Sequence, residues 1–110
     1  MNNLTLVGRL GSEPVIYNTN ATMVARISLG VNIRTGKDET QTEWFEVCLW
    51  DKLAYVAQRY LHTGDKVYIQ GHLTSHKYED KEGIVHNVTQ IVADEAEKLS
   101  TAKRNIKESE

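Results

Sequence analysis

From Thr22 to Ile33 the chain reads TMVARISLGVNI, and every odd position, from Met23 through Ala25, Ile27, Leu29 and Val31 to Ile33, is apolar. The even positions Thr22, Arg26, Ser28 and Asn32 are polar, with Val24 and Gly30 as exceptions. Successive strand side chains point to opposite faces, so this run has one apolar face and one wet face. That is the signature of a long, half-buried antiparallel strand, and it commits the chain to building a sheet around it.

The neighbouring runs fit the same plan. Residues 3–11 (NLTLVGRLG) form a first strand with Leu4, Leu6, Gly8 and Leu10 on one face. Glu13-Pro14 breaks it, because proline removes a ladder donor, and residues 15–17 give a short continuation before NTNAT turns the chain. After the long strand, RTGKDETQ is polar and glycine-bearing and is expected to be a hairpin loop. TEWFEVCLWDK (residues 42–52) opens the third strand. Residues 51–62 change period: Leu53, Val56, Ala57, Tyr60 and Leu61 make one helical stripe, with Asp51 placed to cap its start and Gly64 to close its end. Residues 66–78 return to period two, EDKEG turns, and IVHNVTQIV is a fifth strand. The expected fold is therefore all-β, a five-stranded OB-fold Greek-key barrel with one helix between strands 3 and 4. Residues 1–93 form the domain. From Asp94 the apolar content collapses, so residues 94–110 are expected to be a charged C-terminal tail.

A chain of 110 residues suits one core. Its formal net charge of −2 supplies no global field for a polyanion, so any such site must be local. The single cysteine, Cys48, excludes an internal disulfide and fits a reducing cytosol. No apolar run approaches the roughly 20 residues of a membrane helix, and MNNLTLVGRL lacks the form of a secretory signal. A cytoplasmic location with no membrane contact is expected.

The third strand carries the informative residues. Phe45, Val47 and Leu49 share the core face, so Trp44, Glu46, Cys48 and Trp50 share the other. At about 3.3 Å per residue the two tryptophans stand roughly 20 Å apart, too far for one small-molecule cage. They suit a long groove with separated stacking platforms, and Tyr78 offers a third. The plainer reading is tryptophans packed under a loop or in a subunit interface. Lys52 and Lys77 flank Trp50 and Tyr78, Arg34 and Lys37 lie in the expected hairpin loop, and Arg9 ends the first strand. His76 stands two residues before Tyr78, placed for a phosphate contact. His72 and His76 share a strand face without a third ligand at zinc spacing, so no metal site is expected. Cys48 has no base partner, and neither a phosphate-binding loop nor a dinucleotide fingerprint occurs. No cofactor and no enzymatic activity are expected.

These residues resemble a known family. LVGRLGSEP, ISLGVN, TEWFEVCLWDKLAYVAQRYLHTGDKVYIQGHL and HKYEDKEG are similar to runs in the bacterial single-stranded DNA-binding proteins, and the likeness covers residues 2 to about 93. The resemblance implies an OB-fold that assembles as a homotetramer and wraps single-stranded DNA during replication, recombination and repair. It implies stacking on Trp44, Trp50 and Tyr78 and basic contacts from Lys52 and Lys77. Three departures stand out. Ile33, Arg34 and Thr35 occupy the place of a further tryptophan found in many members. Glu46, Thr74 and His76 stand where some members carry arginine. The chain ends KRNIKESE, without the usual linker and acidic tip, so recruitment of repair proteins through such a tip is unsupported. The competing reading is a protein-interaction module of primosome type that kept the barrel and binds DNA weakly.

Overall fold

The computed structural model of the chain describes residues 1–102. Among them the elements run β1 (Leu4–Leu10), β2 (Val15–Thr19), β3 (Thr22–Gly36), β4 (Glu39–Trp50), α1 (Lys52–Tyr60), β5 (Lys66–Glu79) and β6 (Val85–Ser100). The expected strand count is low by one, and the helix lies between the fourth and fifth strands, not the third and fourth. The added strand is β2, expected from the sequence as a mere continuation of the first. Asn20 and Ala21 both take positive φ, 49° and 65°, and such a two-residue reversal matches the twist of a hairpin. It returns the chain along β2 itself, with Thr19 opposite Thr22 and Val15 opposite Arg26.

The other five strands close into a ring. β1 pairs with β5, β5 with β6, β6 with β4, β4 with β3, and β3 returns to β1 at Arg9–Gly30 and Leu10–Leu29. Only the short β4–β6 contact, Val47–Ile91 and Cys48–Val92, is parallel. The long β3 makes closure possible, because one edge serves β2 over residues 22–26 and β1 over residues 29–30. The all-β class stands, as a closed five-stranded barrel with one helix, consistent with an OB-fold.

Alternation fills the barrel. Ile27, Leu29, Val47, Leu49, Val67 and Ile69 point inward and are fully buried. α1 packs on β3, β4 and β6 through Ala54 and Ala57, with Leu61 just beyond its end. The two alanines form the seat, while Tyr60 of the expected stripe is exposed. Asp51 makes no side-chain cap and Gly64 does not end the helix. Leu61 ends it in extended backbone, its N–H donating to the Ala57 carbonyl, and Gly64 (φ 87°) turns the chain toward β5.

Two strand pairs run past the barrel as ribbons. RTGKDETQ is not a long loop: β3 and β4 stay paired to Gly36–Glu39, with a register shift between Arg34 and Gly36. β5 and β6 stay paired from Leu73–Ile91 out to Glu79–Val85. Residues 94–100, assigned to the tail by composition, continue β6 and pair with residues 66–70. Ala93 and Ala96 keep that stretch against the core; Asp94, Glu95 and Glu97 are exposed, while the Lys98 ammonium reaches the buried Asp65 carboxylate at 3.1 Å. Residues 103–110 of the expected tail lie outside the described residues.

Candidate nucleic-acid interface

Register decides what shares the outer surface. Directly paired residues lie on one face, so the pairings define rows across the barrel wall. One row is Tyr17, Val24 and Trp50; the next is Val15, Arg26, Cys48 and Val92. Ser28 faces Glu46, and the row after that is Trp44, Gly30, Arg9 and Lys66. The tryptophans therefore stand on the outside, with Trp44 59% and Trp50 42% exposed.

Trp44 lies over backbone. A Cβ on Gly11 would come within 2.5 Å of its indole, and one on Gly30 within 2.9 Å. The Cζ3–Cη2 edge of the ring rests where two side chains are absent, while the residue as a whole stays more than half exposed. Beside it is a groove of about 540 Å³ lined by Val7, Gly8, Arg9, Leu10, Gly30, Asn32, Thr42, Trp44 and Lys66. The Thr42 hydroxyl donates to Asn32 Oδ1 at 2.9 Å, and the Arg9 guanidinium donates to the Gly64 carbonyl at 2.9 Å.

Trp50 does not line that groove. It stands beside buried Val24 at the entry to α1, where Lys52 is the first helical residue and is exposed. Between the tryptophans, Glu46 pairs with Arg26 at 3.6 Å, and Arg26 lies 5.9 Å from the centre of the Tyr17 ring. The carboxylate on this face thus has a cation diagonally across on β3. Cys48 is buried beneath it, and desolvation raises its thiol pKa above the ordinary value. That makes it inert packing, not a nucleophile.

Tyr78 is 49% exposed on the β5–β6 ribbon and stacks on His86, ring centres 5.0 Å apart at 20°. The His86 ring meets Asp80 Oδ2 at 2.7 Å. Asp80 also accepts from the N–H groups of Glu82 and Ile84, so the turn is tied together at the platform's base. The bond from His86, then that from Ile84, lowers the Asp80 pKa. His76, opposite Val88, shares the Tyr78 face. Lys77 lies between them in sequence and hence on the ribbon's other face. Arg34, opposite Thr40, is two steps beyond Asn32 on the Trp44 face, in β3 and not in a loop.

The structure thus puts Arg9 in the row of Trp44 and His76 on the face of Tyr78, leaves Lys52 exposed at the start of α1 two residues after Trp50, and turns Lys77 away from Tyr78. Lys66, Asn32, Thr42, Gly11 and His86 are the neighbours that sequence reading missed. Strand parity does put Lys66 on the wet face. Its nearness to Trp44 depends on barrel closure through β1, which parity cannot express.

A family model described as the Single-strand binding protein family matches residues 1–99. The chain is also similar to two proteins called "Single-stranded DNA-binding protein". One is from Neisseria meningitidis serogroup A / serotype 4A (strain DSM 15465 / Z2491), the other from serogroup B of that species (strain ATCC BAA-335 / MC58). Each is 36% identical over 110 aligned positions, covering 96% of this chain and 63% of the relative. The chain spans less than two thirds of the length of these curated relatives.

Proposed function

This chain belongs to the single-strand binding protein family, and from that premise we propose that it binds single-stranded DNA without reading sequence. Bases stack on Trp44, Trp50 and Tyr78, because every base has a π-face, and each stack contributes on the order of 1–3 kcal/mol. Lys52, Arg9 and Arg34, with His76 on the ribbon, meet phosphates along the path, while Lys77 faces the other side of the ribbon. The observation that carries this reading is the pair of exposed indoles on the outer face of β4, one seated on bare glycine backbone. An isolated monomer has no packing reason to leave them there, whereas a base stacked on each covers both.

The barrel, in this reading, is an OB-fold of Greek-key type, and residues 1 to about 100 form the binding unit, with the charged remainder as a tail. The chain assembles as a homotetramer, as the family resemblance implies, and works in the cytoplasm, covering single strands exposed in replication, recombination and repair. No helix among the described residues is long and apolar enough to cross a membrane.

A second reading has two observations behind it. Glu46 puts a carboxylate between the two tryptophans, and an apolar groove of about 360 Å³ runs between α1 and β6 beside Tyr60 and Ala96. Both suit a protein partner better than a polyanion. The two readings separate on a sizing column loaded with the chain and a labelled oligo-dT. Co-elution at low micromolar concentration supports DNA binding. Separate elution of intact protein and free DNA transfers the case to the interaction module.

A further inference from the structure

The row across the barrel seam joins four strands: Trp44 on β4, Gly30 on β3, Arg9 on β1 and Lys66 on β5. Arg9 and Lys66 are directly opposed and line the same groove as Trp44, whose lining contains no aspartate or glutamate. Gly30, which has no side chain, is the residue between Trp44 and Arg9 in that row. Arg9 is held by its bond to the Gly64 carbonyl, and a guanidinium has five N–H donors, more than that one carbonyl takes up among the described residues. An aromatic face, a trough and two adjacent cations complement one nucleotide: the base on the ring, the phosphate on the cations.

We propose that this groove is a single-nucleotide subsite in which Lys66, together with Arg9, seats the phosphate next to the base stacked on Trp44. The inference rests on the single-stranded DNA reading and adds to it a residue and a direction. The DNA strand leaves β4 across the seam where β1 closes the barrel and continues toward β5. Lys66 is exposed at the first position of β5, so its charge is removable without loss of core contacts.

The test titrates the full chain with oligo-dT over a series of salt concentrations, comparing wild type, K66Q, K66R, W44A and the W44A/K66Q pair. Removing one phosphate contact lowers the magnitude of the log–log salt slope by about 0.7 on single strands. K66Q is expected to lose about that much, K66R to keep the wild-type slope, and the K66Q loss to shrink by at least half in the W44A background. Circular dichroism on each variant checks the fold. A K66Q slope equal to wild type, with W44A still weakened, overturns the subsite and leaves the DNA reading standing. A K66Q loss undiminished in W44A means Lys66 acts by distant charge alone, and also overturns it. Wild-type protein that binds no oligo-dT overturns both.

Discussion

At the residue scale the account turns on three aromatic rings and what lies beneath each. Trp44→Ala and Trp50→Ala should each weaken oligo-dT binding by on the order of 1–3 kcal/mol, one stacked base apiece, with the fold retained. Equilibrium titration measures this, and wild-type affinity in a folded variant removes that residue from the site. Gly30→Val probes the seat. Its Cβ would lie 2.9 Å from the Trp44 ring, so the indole must swing away. Binding should fall toward the Trp44→Ala level while the circular dichroism spectrum holds. Strand parity alone placed both tryptophans and Tyr78 outward. Parity also carried the information that Lys77 and Tyr78 oppose each other, although adjacency in sequence suggested a joint role. The glycine seat was not legible, because Gly11 reaches Trp44 only after β1 closes on β3.

At the element scale, the segment after α1 is fixed by two carboxylates. Asp65 is fully buried, where desolvation raises its pKa. The N–H groups of Ala102 and His62 and the Lys98 ammonium, 3.1 Å away, outweigh that and hold it at about 2. Glu13 sits at about 2 as well, held down first by the Thr63 hydroxyl and N–H and then by the His62 ring. A carboxylate depressed in the folded state stabilises it above the unfolded pKa and loses that contribution as pH falls through the folded value. Stability should therefore drop between about pH 4 and pH 2. Asp65→Asn should remove on the order of 2–3 kcal/mol at neutral pH and flatten the acid slope, read by urea titration at stepped pH. An unchanged slope means Asp65 does not hold the end of β6. The charged composition of residues 94–100 hid this strand. Its anchors are two small alanines and an ion pair with a residue some thirty positions earlier, which no local pattern displays. The turn at NTNAT was legible and falls at Asn20-Ala21, but β2 was hidden as a strand of its own, because its short run VIYNT shows as an appendage of the first strand until it is seen paired with β3. The long β3 and the helix, both strongly periodic, were legible from residue spacing alone.

At the scale of the whole molecule, a net charge of −2 means binding cannot rest on a broad positive field. Stacking must then dominate, with few phosphates neutralised. The salt dependence should be shallow, each contact adding about −0.7 to the log–log slope. A slope as steep as that of a heavily basic binder would contradict the assignment of a few discrete cations to the path. Closed topology serves this design, since pairing of β1 with both β3 and β5 carries the outer row from Trp44 on β4 across to Lys66 on β5 and lets one surface collect residues from distant parts of the chain. The measurement that bears most directly on the central claim is intrinsic tryptophan fluorescence during titration with oligo-dT at two salt concentrations. The account predicts strong quenching that saturates and survives the higher salt with only a modest loss of affinity, because bases cover Trp44 and Trp50. Unquenched fluorescence from folded protein at saturating oligo-dT would contradict it, and the exposed indoles would then belong to a protein interface.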